Sequence, residues 1–234
     1  MTDLGELTYI LGMHIMQDCK AGQIELSQQH YIKDILKCYG KSDVRPISTP
    51  VLTNKHLTKL TSPKINIKSF QHALGTIMYP MLRTWPDMAY TIGALRRHTA
   101  TPDDEHQQAP DQVFCYLWAM KNWHLIYQCG ALEGLMLTGY ADTDWANDLG
   151  DCKSTSGYIF KLSGGKISWS SKKQPSIALS STKAEYITRA YAAKELVWLQ
   201  HLFGKVGPPD DSPTTLYMDN QSAIVITKNP QFYN

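Results

Sequence analysis

No stretch of the 234-residue chain approaches the roughly 20 consecutive apolar residues that cross a bilayer. The first residues, Met1-Thr2-Asp3-Leu4-Gly5-Glu6, are acidic and have no apolar signal-peptide core. Together these absences predict a protein inside the cell with no membrane partner. Cysteine is sparse: Cys19, Cys38, Cys115, Cys129 and Cys152 are scattered, odd in number and form no CxxC pair. That argues against a disulfide framework or a zinc ribbon and favours a reducing compartment. The chain has no GxxxxGK[ST] phosphate loop and no HExxH, and Ser180-Ser181-Thr182 lacks the glycines of a nucleophile elbow. Its eight histidines are dispersed, and a formal charge of +2 gives no global basic field.

What is present is a set of acids placed against regular structure. In the first half, Tyr9 to Gln17 and Gln23 to Ser27 read as two strands joined across Lys20-Ala21-Gly22. Ser27 stands as the N-cap of a helix with Tyr31, Ile32, Ile35, Leu36 and Tyr39 on one face, closed by Gly40. Arg45 to Pro50 is extended, and residues 53–68 are polar and without pattern, as in a linker. Helical spacing returns with Phe70, Leu74, Ile77 and Met78 and should be interrupted by Pro80. Trp85-Pro86-Asp87 turns the chain into a helix bearing Met88, Ile92 and Leu95, with Arg96-Arg97-His98 at its end. Thr101-Pro102-Asp103 starts another helix toward Trp118 and Met120, with a kink expected at Pro110. Trp123 to Gln128 reads as a strand.

From about Leu132 the pattern changes. Leu135 to Asp142, Gly157 to Leu162 and Ile167 to Ser171 suit strands, with Gly164-Gly165 as the turn between the last two. Thr182 can cap a helix carrying Ala184, Ile187, Tyr191, Leu196, Leu199 and Leu202. Lys205 to Pro213 is a loop, Leu216 to Asp219 a strand and Gln221 to Thr227 a helix. The order βββαβα predicts an α/β fold with a mixed sheet and helices on its faces.

Asp142 and Asp219 then end two strands, and Glu185 lies at the start of the long helix. If those strands are adjacent and parallel, the carboxylates meet at one rim. Oxygen-only ligands suit Mg²⁺ or Mn²⁺, and a two-ion site can drive in-line phosphodiester hydrolysis. Asp144 has the same strand parity as Asp142, so alternation does not choose between them. One such acid alone is usually a solvated strand end; the joint placement of three is what points to chemistry.

The words Tyr140-Ala141-Asp142-Thr143-Asp144-Trp145-Ala146, Lys153-Ser154-Thr155-Ser156-Gly157-Tyr158, Ile167 to Pro175, Leu179 to Tyr186 and Asp219 to Ile224 resemble the ribonuclease H domain of copia-type retrotransposon polyproteins. Residues 134–229 carry this resemblance. Residues 1 to about 130, with Asp3 to Leu7, Leu26-Ser27-Gln28, Ser48-Thr49-Pro50 and Trp85 to Tyr90, resemble the end of the reverse transcriptase and its connection segment. The resemblance implies a thumb-like end at 1–54, a connection region at 55–133 and a ribonuclease H-like domain at 134–234, with a five-stranded type of sheet that is incomplete at its C-terminus. It implies two-metal hydrolysis of the RNA strand of an RNA–DNA hybrid, with the reverse transcriptase of the parent polyprotein as upstream partner. The expected place of action is the cytoplasm, in a virus-like particle, or the nucleus.

Carried over by position, Asp142, Glu185 and Asp219 are the catalytic metal ligands, and Tyr140-Ala141-Asp142 ranks Asp142 ahead of Asp144 as first acid. Ser181 and Asn220 would support the site or the substrate backbone, and Lys153, Lys172 and Lys173 would hold phosphate. The family's fourth acid lies in a segment beyond Asn234, and its polymerase aspartates lie before Met1. Pro80, Pro110-Asp111 and Lys183 depart from the family pattern. They support an alternative: a decayed remnant that binds nucleic acid or a partner without cutting. A transposase or integrase core places its acids in Asp, Asp, Glu order, unlike the Asp, Glu, Asp order here.

Overall fold

The structure is a computed structural model, and it describes residues 5–51, 66–128, 136–206 and 213–229. The chain divides into two units, Met1–Gly130 and Ala131–Asn234. Most of the expected linker at 53–68, the start of the expected strand at Leu135 and most of the expected loop from Lys205 to Pro213 lie outside the described residues.

The first unit is built on an antiparallel sheet in the order β1-β2-β3-β4. Its strands are β1 (Tyr9–Ile10), β2 (Met13–Asp18), β3 (Gln23–Ser27) and β4 (Leu125–Gln128). The single strand expected over Tyr9 to Gln17 is therefore a hairpin. Leu11 and Gly12 both take left-handed φ values, 48° and 73°, and this pair turns the chain between β1 and β2. Strand β4 pairs with β3 through Leu26↔Leu125, so stretches from both ends of residues 1–130 share one sheet.

Ser27 closes β3, and Gln28 rather than Ser27 stands at the N-cap of α1 (Gln29–Cys38). Helix α2 (Ile67–Arg83) is capped by Asn66, whose side-chain oxygen accepts from Lys68 N at 3.0 Å and Ser69 N at 3.3 Å. The helix passes through Pro80 without the expected interruption. Proline has no N–H to give the carbonyl four residues back, which is that of Thr76. The Tyr31 hydroxyl donates to that carbonyl instead, at 3.1 Å. Tyr31→Phe leaves it without this donor and is expected to cost about 1 kcal/mol, read as a lower urea midpoint at unchanged slope.

A 3₁₀ turn, Pro86–Met88, leads into α3 (Ala89–Leu95), and Arg96–His98 forms a second. Helix α4 (Asp104–Met120) continues across Pro110. Its cap is Asp103 rather than Thr101: Asp103 Oδ1 accepts from His106 N at 3.0 Å, and His106 Nδ1 accepts in return from Asp103 N at 3.4 Å. Phe70, Leu74, Ile77, Met88, Ile92, Leu95, Phe114 and Leu117, at helical spacing in the sequence, are all buried.

The second unit contains β5 (Thr138–Asp144), β6 (Thr155–Leu162), β7 (Gly165–Lys173), α5 (Ser181–Val206), β8 (Thr215–Tyr217) and α6 (Gln221–Lys228). The sheet order is β7-β6-β5-β8. Strands β5, β6 and β7 form an antiparallel meander, and β8 lies parallel to β5, with Gly139 opposite Leu216. Four strands are present among the described residues, where the resemblance implied a five-stranded type of sheet. The architecture is mixed α/β, as the element order predicts.

Several boundaries differ from the sequence reading. Strand β5 runs two residues beyond Asp142, because Asp144 pairs with Thr155 and β6 begins before Gly157, which the ladder holds from both sides. The β6–β7 turn is Ser163-Gly164, with φ of 50° and 77°, rather than Gly164-Gly165. Helix α5 is capped by Ser180, whose hydroxyl accepts from Lys183 N at 3.2 Å, and not by Thr182.

Phe160 is fully buried at the centre of this unit, with Ala141, Ala192 and Leu199, and Tyr158, Ile167, Leu196, Leu216 and Met218 around them. Gly139 lets β5 approach this cluster closely. A Cβ there would stand 2.6 Å from Phe160 Cε1 and 2.8 Å from Leu216 Cδ1. Gly139→Ala is expected to destabilise by about 2 kcal/mol through overpacking, measured by thermal or urea unfolding.

Candidate metal centre

The parallel pairing of β5 with β8 decides where the acids meet. Asp142 lies inside β5 near its C-terminal end, and Asp219 follows β8 by two residues. Glu185 sits four residues into α5, which runs from the same rim. One carboxylate oxygen from each of the three lies within 4.8 Å of the others. Among the described residues no other group of His, Cys, Asp or Glu has this convergence.

Burial differs across the trio. Asp142 and Asp219 are exposed, whereas Glu185 is 5% exposed. Burial, then the negative charges of Asp142 and Asp219, push the Glu185 carboxyl up to about 7. The amide and hydroxyl of Thr143 oppose that rise. Glu185 Oε2 is buried without a hydrogen-bond partner.

A buried, unpartnered carboxylate oxygen facing two further carboxylates is destabilising unless a cation joins them. The three donors are all hard oxygens, and they lie within 4.8 Å of one another. The trio therefore fits Mg²⁺ or Mn²⁺. Asp142, Glu185 and Asp219 would hold such an ion.

Asp144 is not brought into the group. Although it shares strand parity with Asp142, it lies two residues further along, and its Oδ2 accepts from the Asn147 side chain. Ser181 is exposed at the first position of α5, and Asn220 caps α6, its Oδ1 accepting from Ala223 N at 2.9 Å. Lys153 and Lys173 are engaged with acids. Lys153 Nζ lies 3.5 Å from Asp151, and Lys173 bridges Asp148 and Asp151, with 2.6 Å to Asp151 Oδ1. The hydrogen bond from Lys173 holds the Asp151 carboxyl below the usual carboxylate range. Lys172 is exposed.

The sequence reading did not single out Thr143, Ser156, Gln174 or Thr188, which form a buried polar layer under the carboxylates. Ser156, Gln174 and Thr188 are 4%, 1% and 0% exposed. Ser156 and Thr188 hydroxyls are 2.6 Å apart, and Thr143 also bonds Thr188. Thr143 and Ser156 are small polar residues within strands, where a core normally has valine or isoleucine, and that is the signal the sequence offers for them.

Comparison with known proteins shows what the chain is similar to. No protein-family model matches the chain. It is 35% identical over 240 residues to the retrovirus-related Pol polyprotein from transposon TNT 1-94 of Nicotiana tabacum, covering 100% of this chain and 18% of that protein. It is 34% identical over 237 residues to the corresponding polyprotein from transposon RE1 of Arabidopsis thaliana, covering 99% of this chain and 16% of that protein. The secreted RxLR effector protein 161 of Plasmopara viticola is 44% identical over 128 residues, which are 54% of this chain and 88% of that protein. The chain thus spans less than a fifth of the length of these polyproteins. Near-complete coverage by two transposon polyproteins, together with the acidic words that fold into one rim, identifies the lineage: the chain belongs to the retrovirus-related Pol polyproteins of copia-type retrotransposons.

Proposed function

We propose that residues 134–234 form a ribonuclease H-like domain that hydrolyses the RNA strand of an RNA–DNA hybrid, with Asp142, Glu185 and Asp219 as the ligands of a two-ion Mg²⁺ or Mn²⁺ site. The observation that carries this reading is the convergence of three carboxylates, one of them buried with an oxygen left unpartnered, at the shared end of two parallel strands. Divalent ions held there supply an activated water and charge stabilisation at the leaving oxygen. Glu185 anchors from below, its orientation fixed by Thr143 and the buried layer beneath it. Asp142 and Asp219, being exposed, present the open side of the site to a phosphodiester. Asn220 holds its side chain at the start of α6, beside Asp219, and Lys172 is available to phosphate. Residues 1–54 and 55–133 correspond in this reading to the end of the reverse transcriptase and its connection segment, and the upstream polymerase of the polyprotein is the partner.

A second reading, a module that binds nucleic acid or a protein without cutting, is favoured by one observation: Lys153 and Lys173, two of the three candidate phosphate contacts, are engaged with Asp148 and Asp151. The relative named as a secreted effector is a protein of a different stated class and is compatible with that second reading. The test is incubation of the chain with an end-labelled RNA–DNA hybrid in Mg²⁺ and in Mn²⁺. The first reading expects cuts in the RNA strand and an intact DNA strand. A gel shift with no cleavage in either ion supports the second.

A further inference from the structure

Thr143 reaches the Glu185 carboxyl from β5, and the residue before Glu185 is itself held from three directions. The Ala184 carbonyl accepts from Gln174 Nε2 at 2.9 Å, from the Thr188 hydroxyl at 3.1 Å and from the Thr143 hydroxyl at 3.4 Å. Thr143 in turn directly follows Asp142 and bonds Thr188. The two residues adjacent in sequence to the ligands, Thr143 beside Asp142 and Ala184 beside Glu185, are therefore tied to each other through Thr188.

Gln174 locks this tie to the rest of the sheet. It follows the end of β7, its backbone N–H donates to Ser154 O at 2.8 Å, and its amide donates to Ser156 Oγ at 3.0 Å. Because a carbonyl oxygen only accepts, the contact to Ala184 fixes which end of the amide is NH₂. The opposite end, Gln174 Oε1, is buried without a partner. An orphaned amide oxygen is unfavourable in a core. The fold keeps it while aiming the amide nitrogen at the helix turn that carries Glu185.

We infer that Gln174 and Thr188 are positioning residues that set the distance between Glu185 and Asp142 and thereby the divalent-metal affinity of the centre. This inference rests on the metal-centre reading. Their effect acts through the backbone at Ala184 and Thr143, as the outer partners of metal ligands act elsewhere, where their loss costs about 10- to 100-fold in affinity.

The test is Mn²⁺ titration of the full chain, by calorimetry or by loss of the free Mn²⁺ electron-spin signal. Thr188→Val removes the hydroxyl at constant volume and is expected to weaken Mn²⁺ binding about tenfold or more; Gln174→Leu should do the same. Thr188→Ser keeps the hydroxyl, loses only a methyl, and should bind within about twofold of the wild type. A merely structural role lowers the urea midpoint of Thr188→Val and leaves Mn²⁺ binding by the folded chain at wild-type affinity. Wild-type affinity in Thr188→Val or in folded Gln174→Leu overturns this inference alone. A wild-type chain that binds no Mn²⁺ overturns the metal-centre reading and this inference with it.

Discussion

Asp142→Asn is expected to lower the proposed RNA-strand cleavage of an RNA–DNA hybrid by about three orders of magnitude, roughly 4 kcal/mol of barrier, while Asp144→Asn leaves it within about threefold. The two aspartates share a strand and a face, so their contrast isolates position at the rim from mere acidity. Asp142 contributes an oxygen within 4.8 Å of those of Glu185 and Asp219, whereas Asp144 is turned to Asn147. An amide in place of the Asp142 carboxylate keeps the shape and removes the charge that would hold a divalent cation. The measurement is single-turnover cleavage of a labelled hybrid in saturating Mn²⁺. Equal losses in both variants would move the first ligand to Asp144, and no loss in either would remove β5 from the site.

Glu185→Gln stabilises the metal-free chain by up to about 3 kcal/mol at pH 8 and by much less at pH 5. The sign follows from the raised carboxyl, which moves from 4.5 to about 7 on folding. The folded state then holds a proton that the unfolded state releases above about pH 4.5. Its stabilising contribution is fully present below that value and is lost as the pH rises through about 7. Gln carries no such titration, so the variant should show a flatter stability profile between pH 5 and 8. Urea unfolding in the presence of a chelator checks this. Millimolar Mg²⁺ should restore wild-type stability at pH 8 and leave the variant nearly unchanged, since a ligand that binds only the folded state stabilises it. Parallel pH profiles for the two proteins would contradict the burial of Glu185 beside two acids.

The element order was legible in the sequence, because it depends on spacing that side chains impose locally. Leu74 and Ile77, or Met88 and Ile92, bury because helical period alone brings them to one face. Boundaries were less legible, because they depend on partners distant in sequence. Pro80 reads as a break until Tyr31 supplies a donor to Thr76. Tyr9 to Gln17 reads as one strand until the left-handed Leu11-Gly12 pair folds it back. Asp142 reads as a strand end until Thr155 extends the ladder to Asp144.

The site divides in the same way. The convergence of Asp142, Glu185 and Asp219 was legible because strand ends and a helix start carry them in order, and a parallel pairing brings them together. Among the described residues Cys19, Cys38, Cys115 and Cys152 are free. No helix among the described residues is long and apolar enough to cross a membrane. The ion pairs of Lys173 were not legible, since Asp148 and Asp151 reach it across a loop that spacing alone does not place. Nor was the buried layer, where Gln174 and Thr188 acquire meaning only once β5, the residue after β7 and α5 meet at one carbonyl.

Anomalous scattering from a Mn²⁺-soaked crystal of the chain tests the metal centre most directly. The structure predicts manganese density bounded by Asp142, Glu185 and Asp219, with Glu185 Oε2 among its ligands. Manganese found at Asp144 and Asn147 with the trio left empty, or a trio that stays empty at saturating Mn²⁺, would contradict it.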